Sequence, residues 1–324
     1  MDPDFFLDDI GSYPLPKGVS LKGLSDDGYR DLVIDAFSQK VLAGVEVPTY
    51  PQFRDMIRMF MDPIQDPEAS ESPYHIKKER ALIPELEMVE SLNSERIRVC
   101  VTGPVELYLS AFGATSYTDI LFEIAGSVAR FMENAVESNR VSVTSIDEPS
   151  LGISPMVTFS EDEIAQALEI ASKPCLGMDC EVHLHSPLFA ELCCRVPGIS
   201  IIGVESAAHP DYLRLIDRKV LVETDTYLRA GIARTDILSM AASINDRLGG
   251  NIWDDPIALE NEILGMESPD VIRARLKHDH SMFKDRLKAV GPDCGLGSWP
   301  SQATAYKLLS NCSVAVTSFR KNAV

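Results

Sequence analysis

Short apolar runs alternate along the chain with longer stretches in which apolar residues recur every three or four positions. The short runs predict eight strands, at Asp8–Tyr13, Val45–Thr49, Ile97–Thr102, Val141–Ile146, Cys180–His185, Ile199–Val204, Tyr227–Ala233 and Leu287–Val290. The longer stretches predict amphipathic helices, at Asp26–Ala43, Thr118–Ser138, Ser160–Ser172 and Ser268–Leu287. Strands separated by helices are typical of a parallel sheet with crossover connections. Eight such strands predict an α/β fold, a single (β/α)8 TIM barrel.

Two stretches do not fit this alternation. They are Asp62–Leu82, which is rich in Pro, Asp and Glu, and Thr235–Ser268, which contains Leu248-Gly249-Gly250. We interpret both as insertions over the carboxyl-terminal face of the barrel. The chain shows no repeat and no linker long enough to divide it, so we expect one domain over residues 1–324.

The charge balance limits the classes of partner. The chain carries 30 Lys and Arg against 49 Asp and Glu, a net charge of −19. Nucleic-acid binding depends on clustered basic residues, so we expect no nucleic-acid partner. The acidic amino terminus and the lack of a long apolar run predict no secretory signal and no membrane span, and hence a cytoplasmic protein. The 7 cysteines have no regular spacing, which favours reduced side chains over a disulfide framework.

Three predicted strands end in residues that bind metals. Active sites of barrels lie at the carboxyl ends of the strands. The fifth strand ends in His183-Leu184-His185, and the two-residue period of a strand places both imidazoles on one face. Glu205 follows the sixth strand, and Cys294 follows the eighth in a glycine-rich turn. Two nitrogens, a carboxylate and a thiolate suit tetrahedral Zn²⁺; the alternative is surface or core histidines and a solvated glutamate.

A pair of carboxylates, Asp147 and Glu148, follows the fourth strand and precedes Pro149. Such a pair could hold a cationic group of a substrate. The alternative is a helix-start signal, because acidic side chains are favourable near a helix N-terminus. His278 and His280 lie two apart in a predicted helix, where side chains diverge, so we expect no metal site there.

Several segments together resemble the catalytic, carboxyl-terminal half of cobalamin-independent methionine synthase. The similarity extends over nearly the whole chain and is closer to the short archaeal and bacterial homologues that act as methylcobalamin:homocysteine methyltransferases. The matching segments are Ile10-Gly11-Ser12-Tyr13-Pro14, Gln52-Phe53-Arg54-Asp55-Met56, Ile146-Asp147-Glu148-Pro149, Glu205-Ser206 and Pro292-Asp293-Cys294-Gly295-Leu296. The last of these matches the most specific motif of the family.

The resemblance implies a zinc-dependent thiol methyltransferase that converts homocysteine to methionine. Its metal ligands would be His183, His185, Glu205 and Cys294. Asp147 would be the catalytic residue that binds the substrate ammonium, and the substrate-binding residues would be Ser12, Gln52, Asp147, Glu148 and Ser206. The expected methyl donor is methylcobalamin or a methylcorrinoid protein, because the chain has no room for a folate-binding second barrel.

The chain departs from the family at the fifth strand, where the family has His-x-Cys and this chain has His183-Leu184-His185. A register shifted by two residues would align His185 with the family histidine and Pro187 with the cysteine, which leaves a ligand missing. The unshifted register keeps four ligands and the better spacing to Glu205. Gln52 stands where long family members have glutamate. An imidazole in place of a thiolate makes the ligand set neutral with Zn²⁺, and the metal a stronger Lewis acid.

Two other functions stay open at this point. The acceptor could be another thiol, such as coenzyme M, although a carboxylate at Asp147 favours an amino-acid thiol over a sulfonate. The chain could also be a metal-binding or corrinoid-binding scaffold that has lost catalysis. Thiol-dependent demethylation of methylcobalamin distinguishes an enzyme from such a scaffold.

Overall fold

The computed structural model describes residues 4–92 and 96–323. The strands are β1 (Phe6–Leu7), β2 (Ser70–Ser72), β3 (His75–Ile76), β4 (Ile97–Thr102), β5 (Val141–Asp147), β6 (Asp179–Leu184), β7 (Ile201–Val204), β8 (Tyr227–Ala233) and β9 (Leu287–Pro292). Seven of them form a curled parallel sheet, a half-barrel, in the order β1-β9-β8-β7-β6-β5-β4, and β2 pairs with β3 in an antiparallel hairpin. The predicted α/β class is confirmed, and the sheet is consistent with a TIM-barrel-like fold.

The helices are α1 (Asp26–Leu42), α2 (Arg58–Gln65), α3 (Pro84–Glu90), α4 (Pro104–Phe112), α5 (Thr118–Val136), α6 (Glu161–Ser172), α7 (Ala190–Cys194), α8 (Arg218–Glu223), α9 (Ile237–Leu248), α10 (Pro256–Met266), α11 (Pro269–Phe283) and α12 (Gln302–Ala323). The four helices predicted from apolar spacing correspond to α1, α5, α6 and α11. Within the described ranges, no helix has the length and apolarity that crossing a bilayer requires.

The first two predicted strands are wrong in their bounds. The first strand is Phe6–Leu7, and the following residues pair only through single parallel bridges, Asp8 with Val47 and Ser12 with Gln52. Gly11 has a φ of 117°, which interrupts the extended backbone that a strand needs. The backbone here bonds largely to side chains, so residues 45–49 form a bridge and not a full strand.

Contacts group the chain into two compact units. The first unit comprises Met1–Phe53, Glu205–Pro210 and Ala230–Val324. It contains α1, β1, β9 and the four helices α9 to α12, of which α9 and α10 account for the predicted insertion at Thr235–Ser268. A single domain over residues 1–324 stays a prediction.

A buried ion pair organises the amino-terminal part of the first unit. Lys40, on α1, is fully buried, and its Nζ donates to Asp9 Oδ2 at 2.6 Å. The same ammonium donates to the carbonyl oxygens of Gly11 at 2.9 Å and Thr49 at 3.0 Å. Asp9 Oδ1 in turn accepts from the Thr49 amide at 2.8 Å. One cation and one anion therefore satisfy backbone groups that a regular ladder would otherwise pair.

The second unit comprises Arg54–Val204 and Asp211–Arg229. Its strands β4 to β7 are parallel neighbours, and α5 and α6 pack together beside them. Ser160 begins α6 with a capping box to Glu163, as its position before the apolar pattern predicts. The predicted insertion at Asp62–Leu82 forms the end of α2, the β2–β3 hairpin and a turn, and Ile76 of this hairpin donates its amide to Ser127 of α5 at 2.8 Å.

We expect Lys40→Met to lower the free energy of unfolding by about 3–5 kcal/mol, because the buried carboxylate of Asp9 loses its cation. Urea denaturation measures the change. Lys22→Met is the control, since Lys22 is exposed and its replacement should change stability by less than about 0.5 kcal/mol. Equal effects of the two substitutions would show that the buried pair does not stabilise the unit.

Candidate metal centre

Four side chains at strand ends form a group that could hold a metal ion. His183 lies in β6 and His185 directly follows Leu184, the last residue of that strand. Glu205 directly follows β7, and Cys294 lies just beyond β9. One ligand atom from each of these residues lies within 4.8 Å of the others. The structure thus brings together the four residues that the sequence nominated; their role as metal ligands stays a prediction.

The donor atoms suit a metal in chemistry and in spacing. Both ring nitrogens of His183 are buried and accept or donate no hydrogen bond to any described residue. The rings of His183 and His185 have centroids 5.5 Å apart and lie at 75° to each other, so they do not stack. Ligands of tetrahedral zinc are separated by about 3.3–3.8 Å, given bonds of about 2.0–2.3 Å. The observed limit of 4.8 Å is about 1 Å longer than that spacing.

Both histidines are held in the neutral form that binds metals. Burial lowers the pKa of His183 well below its usual value, and the positive charges of Arg229 and Arg98 lower it further. Burial lowers the pKa of His185 to about 3, with a smaller contribution from His183. A neutral imidazole offers a lone pair on one nitrogen, which a protonated one does not.

Asp147 ends β5 beside the strand that carries His183. The two residues are register partners in the parallel β5–β6 pair. The Asp147 carboxylate accepts a hydrogen bond from Ser145 Oγ at 2.7 Å. Burial raises the pKa of Asp147 to about 6, although the charge of Arg98 and the Ser145 hydrogen bond oppose the rise. Most of the Asp147 carboxyl group is therefore ionised at neutral pH, and in that form it can pair with a cation.

Glu148 caps a helix with both of its oxygens. Oε1 accepts from the amide of Val105 and Oε2 from the amide of Glu106, each at 2.9 Å, at the N-terminus of α4. Burial raises the pKa of Glu148 to about 8, while these amide donors act in the opposite direction. No helix begins at Glu148, so the helix-start alternative does not describe these contacts: Glu148 caps α4, which precedes it in the chain. Its contact with substrate stays a prediction.

The remaining predicted substrate residues each make a hydrogen bond within the protein. These are Ser12 Oγ, which accepts from the Gly297 amide at 3.2 Å, Gln52 Nε2, which donates to the Tyr50 hydroxyl at 3.1 Å, and Ser206 Oγ, which donates to the Gly231 carbonyl at 3.0 Å. Gly295 also approaches Ser12 so closely that a Cβ there would lie 1.9 Å from Ser12 Oγ. The turn that carries Cys294 therefore packs against the Ser12 segment, and their roles toward substrate stay predictions.

Sequence reasoning missed the positioning role of Asp293. Its carboxylate is buried and accepts from the amides of Ala207 at 2.8 Å and Ala208 at 2.7 Å. These bonds join the turn that presents Cys294 to the loop that begins at Glu205. The sequence showed Asp293 only as part of a motif, because its partners lie about 86 positions away along the chain.

Sequence reasoning also missed a charged layer inside the sheet. Arg98 in β4, Glu181 in β6 and Arg229 in β8 are each 0% exposed. Arg98 Nη2 donates to Glu181 Oε2 at 2.8 Å, and Arg229 Nε lies 3.9 Å from the same oxygen. Inward side chains of alternate strands share a layer in barrel-type sheets, which explains how these residues meet.

Comparisons with known proteins agree with this fold. A B12-independent methionine synthase from Shewanella sp. W3-18-1, solved in complex with selenomethionine, is similar with a TM-score of 0.67 and 14% identity, and covers 98% of each chain. A putative vitamin-B12-independent methionine synthase from Listeria monocytogenes is similar with a TM-score of 0.62 and 14% identity, covering 100% of this chain and 99% of its own. No protein-family model and no curated protein matches the sequence. At this identity the likeness shows the fold alone.

We expect Gly103→Ala to lower the free energy of unfolding by about 1–3 kcal/mol, because the new Cβ would displace the Glu148 carboxylate that caps α4. That Cβ would lie 2.3 Å from Glu148 Cδ, although φ of −73° and ψ of 160° suit any residue. Gly250→Ala, where a Cβ meets open space, is the control for urea denaturation. A neutral effect at Gly103 would contradict the packing described.

Proposed function

We propose that the chain is a zinc-dependent S-methyltransferase that transfers a methyl group to homocysteine and forms methionine. The observation that carries the proposal is the group of His183, His185, Glu205 and Cys294, whose ligand atoms lie within 4.8 Å of one another. The two buried, unpartnered nitrogens of His183 support it, because burying such atoms is unfavourable unless a ligand binds them. The likeness of the fold to B12-independent methionine synthases supports it as well.

The chain's own residues hold and orient the reactants. When bound, Zn²⁺ supplies the positive charge that keeps a thiol, normally only a few per cent ionised at neutral pH, in its reactive anionic form. Asp147 pairs with the substrate ammonium, and Ser12, Gln52 and Ser206 line the path of the amino-acid end. Glu148 contributes by fixing the start of α4 beside Asp147. Together these contacts point the sulfur at the methyl group, which is an orientation effect.

We further propose that the methyl donor is methylcobalamin or a methylcorrinoid protein. In that transfer a sulfur–carbon bond forms and the carbon–cobalt bond breaks, its electron pair remains on cobalt, and the thiol proton is released. The donor set supports this choice, since two imidazoles, a carboxylate and a thiolate together leave no net charge with Zn²⁺. A thiol bound to zinc with a neutral ligand set is more acidic than one bound to zinc with an anionic ligand set, and its thiolate is less nucleophilic. A less nucleophilic thiolate suits a methyl donor with a good leaving group.

We expect Cys294→Ala to lower zinc affinity by at least about 100-fold and to abolish methyl transfer, because one of the four proposed protein ligands is lost. Chelator competition gives the affinity, and thiol-dependent demethylation of methylcobalamin gives the activity. Cys194→Ala, at a buried cysteine outside the proposed ligand group, is the control and should keep both. Zinc content and turnover that survive in Cys294→Ala would refute the site. If the wild type binds zinc but transfers a methyl group to no thiol, the chain is a metal-binding scaffold and not an enzyme.

We expect Asp147→Asn to raise the KM for homocysteine by about 30–100-fold, as a hydrogen bond to a charged group contributes about 2–3 kcal/mol. In the wild type, the KM should also rise as pH falls below about 6, where Asp147 becomes protonated. The Asn variant should lack this pH dependence. Coenzyme M, which has a sulfonate and no ammonium, is the control acceptor, and its KM should not rise with the substitution. An unchanged KM for homocysteine would contradict the assignment.

A further inference from the structure

The charged layer inside the sheet leaves one carboxylate oxygen without a partner. Glu181 is 0% exposed, and its Oε2 accepts from Arg98 Nη2 at 2.8 Å and lies 3.9 Å from Arg229 Nε. Its other oxygen, Oε1, is buried and has no hydrogen bond to any residue that the structure describes. A buried carboxylate oxygen of this kind is costly unless it accepts a hydrogen bond.

The unpartnered oxygen faces an unpartnered nitrogen. Glu181 and His183 lie on the same face of β6 because they are two residues apart in a strand. Glu181 Oε1 lies 3.6 Å from His183 Nδ1, slightly beyond a hydrogen bond. A small rotation about the His183 side-chain bonds closes that gap.

Gly203 leaves the space in which these two atoms meet. It is the register partner of His183 in the neighbouring strand β7. A Cβ at position 203 would lie 2.1 Å from Glu181 Oε1 and 3.3 Å from His183 Nδ1. Any other residue would therefore push the carboxylate away from the imidazole.

We propose that Glu181 is a positioning residue that accepts the Nδ1 proton of His183 and so fixes Nε2 as the metal-binding nitrogen. This inference rests on the proposed metal site. A neutral imidazole carries one proton, and the group that binds one nitrogen decides which nitrogen keeps the lone pair. An ionised carboxylate only accepts hydrogen bonds, so it selects the tautomer with the proton on Nδ1. Arg98 and Arg229 hold the carboxylate in place and restrain its other oxygen.

The first test needs no bound metal and no variant of Glu181. In the full-length, metal-free protein labelled with ¹⁵N-histidine, long-range ¹H–¹⁵N correlation spectra report which nitrogen of each imidazole is protonated. The signals of His183 are identified by their loss in His183→Gln. We expect Nδ1 to be protonated and Nε2 to be bare. A proton on Nε2 would overturn the proposal.

The second test measures metal affinity. We expect Glu181→Gln to weaken zinc binding by about 10–100-fold, as is typical when the hydrogen-bond partner of a metal-binding histidine is lost. Glu85→Gln is the matched control, because Glu85 is an equally buried glutamate of the same unit that pairs with Arg54 at 2.6 Å. Its zinc affinity should equal that of the wild type.

The two tests separate this inference from the proposed function. Loss of zinc affinity in Glu181→Gln but not in Glu85→Gln, with thermal unfolding showing both variants folded, supports the positioning role. Equal affinities of Glu181→Gln and the wild type overturn it. If the wild type binds no zinc but His183 carries its proton on Nδ1, the proposed function fails while the contact between Glu181 and His183 stands.

Discussion

The two unsatisfied nitrogens of His183 are the constraint on which the proposed centre depends. A polar atom removed from water without a partner costs about 1–3 kcal/mol, and His183 presents two such atoms in one ring. His183 is 1% exposed, and every residue of β6 after Asp179 is buried, so bulk solvent does not reach these nitrogens. A metal on one nitrogen and the Glu181 carboxylate on the other remove both costs together. The arrangement is thus unfavourable as an apolar core and favourable as a binding site.

At three places in the structure, a glycine lies directly against the carboxyl group of a buried acidic residue. A Cβ would lie 2.3 Å from the Glu148 carboxylate at Gly103, 2.1 Å from the Glu181 carboxylate at Gly203, and 1.7 Å from the Asp293 carboxylate at Gly231. None of these three glycines has a positive φ, so each is required by space and not by backbone conformation. Glu148 and Asp293 accept backbone amides, and Glu181 accepts from Arg98. In each case the missing side chain makes room for a carboxyl group that hydrogen-bonds to its surroundings.

Local patterns in the sequence predicted most of the regular elements and nominated the four side chains of the candidate metal centre. Strands β4 and β8 have the predicted bounds, because each is a mainly apolar run, rich in β-branched or small residues, that a single buried arginine does not interrupt. The sequence of Val45–Thr49 also predicts a strand. In the structure, however, the carbonyl and amide of Thr49 bond to the side chains of Lys40 and Asp9 and not to a neighbouring strand. That competition involves residues up to 40 positions apart and has no local pattern.

The supporting residues could not be found for a related reason. Glu181 lies inside a predicted strand, where a charged residue reads as solvent-facing, and its partner Arg98 is 83 positions away. His183 and Cys294 are recognisable because metals select residue types, whereas a positioning carboxylate is defined only by its neighbours. Candidate metal ligands can thus be recognised from residue type and spacing in the sequence, whereas candidate positioning residues cannot.

The charges of the buried arginine–glutamate layer affect which thiol acceptor the proposed site would bind. Arg98 and Arg229 contribute two positive charges to the interior of the second unit, and Glu181 and ionised Asp147 contribute two negative ones. With Asp147 protonated, the two arginines and Glu181 would carry a net positive charge, which opposes a further cation. If Asp147 binds the substrate ammonium as proposed, protonation of its carboxyl group would therefore remove the ion pair and leave this repulsion. If both proposals hold, the arginines that restrain Glu181 beside His183 also act on the carboxylate proposed to bind the ammonium, so one buried layer would affect metal binding and substrate choice together.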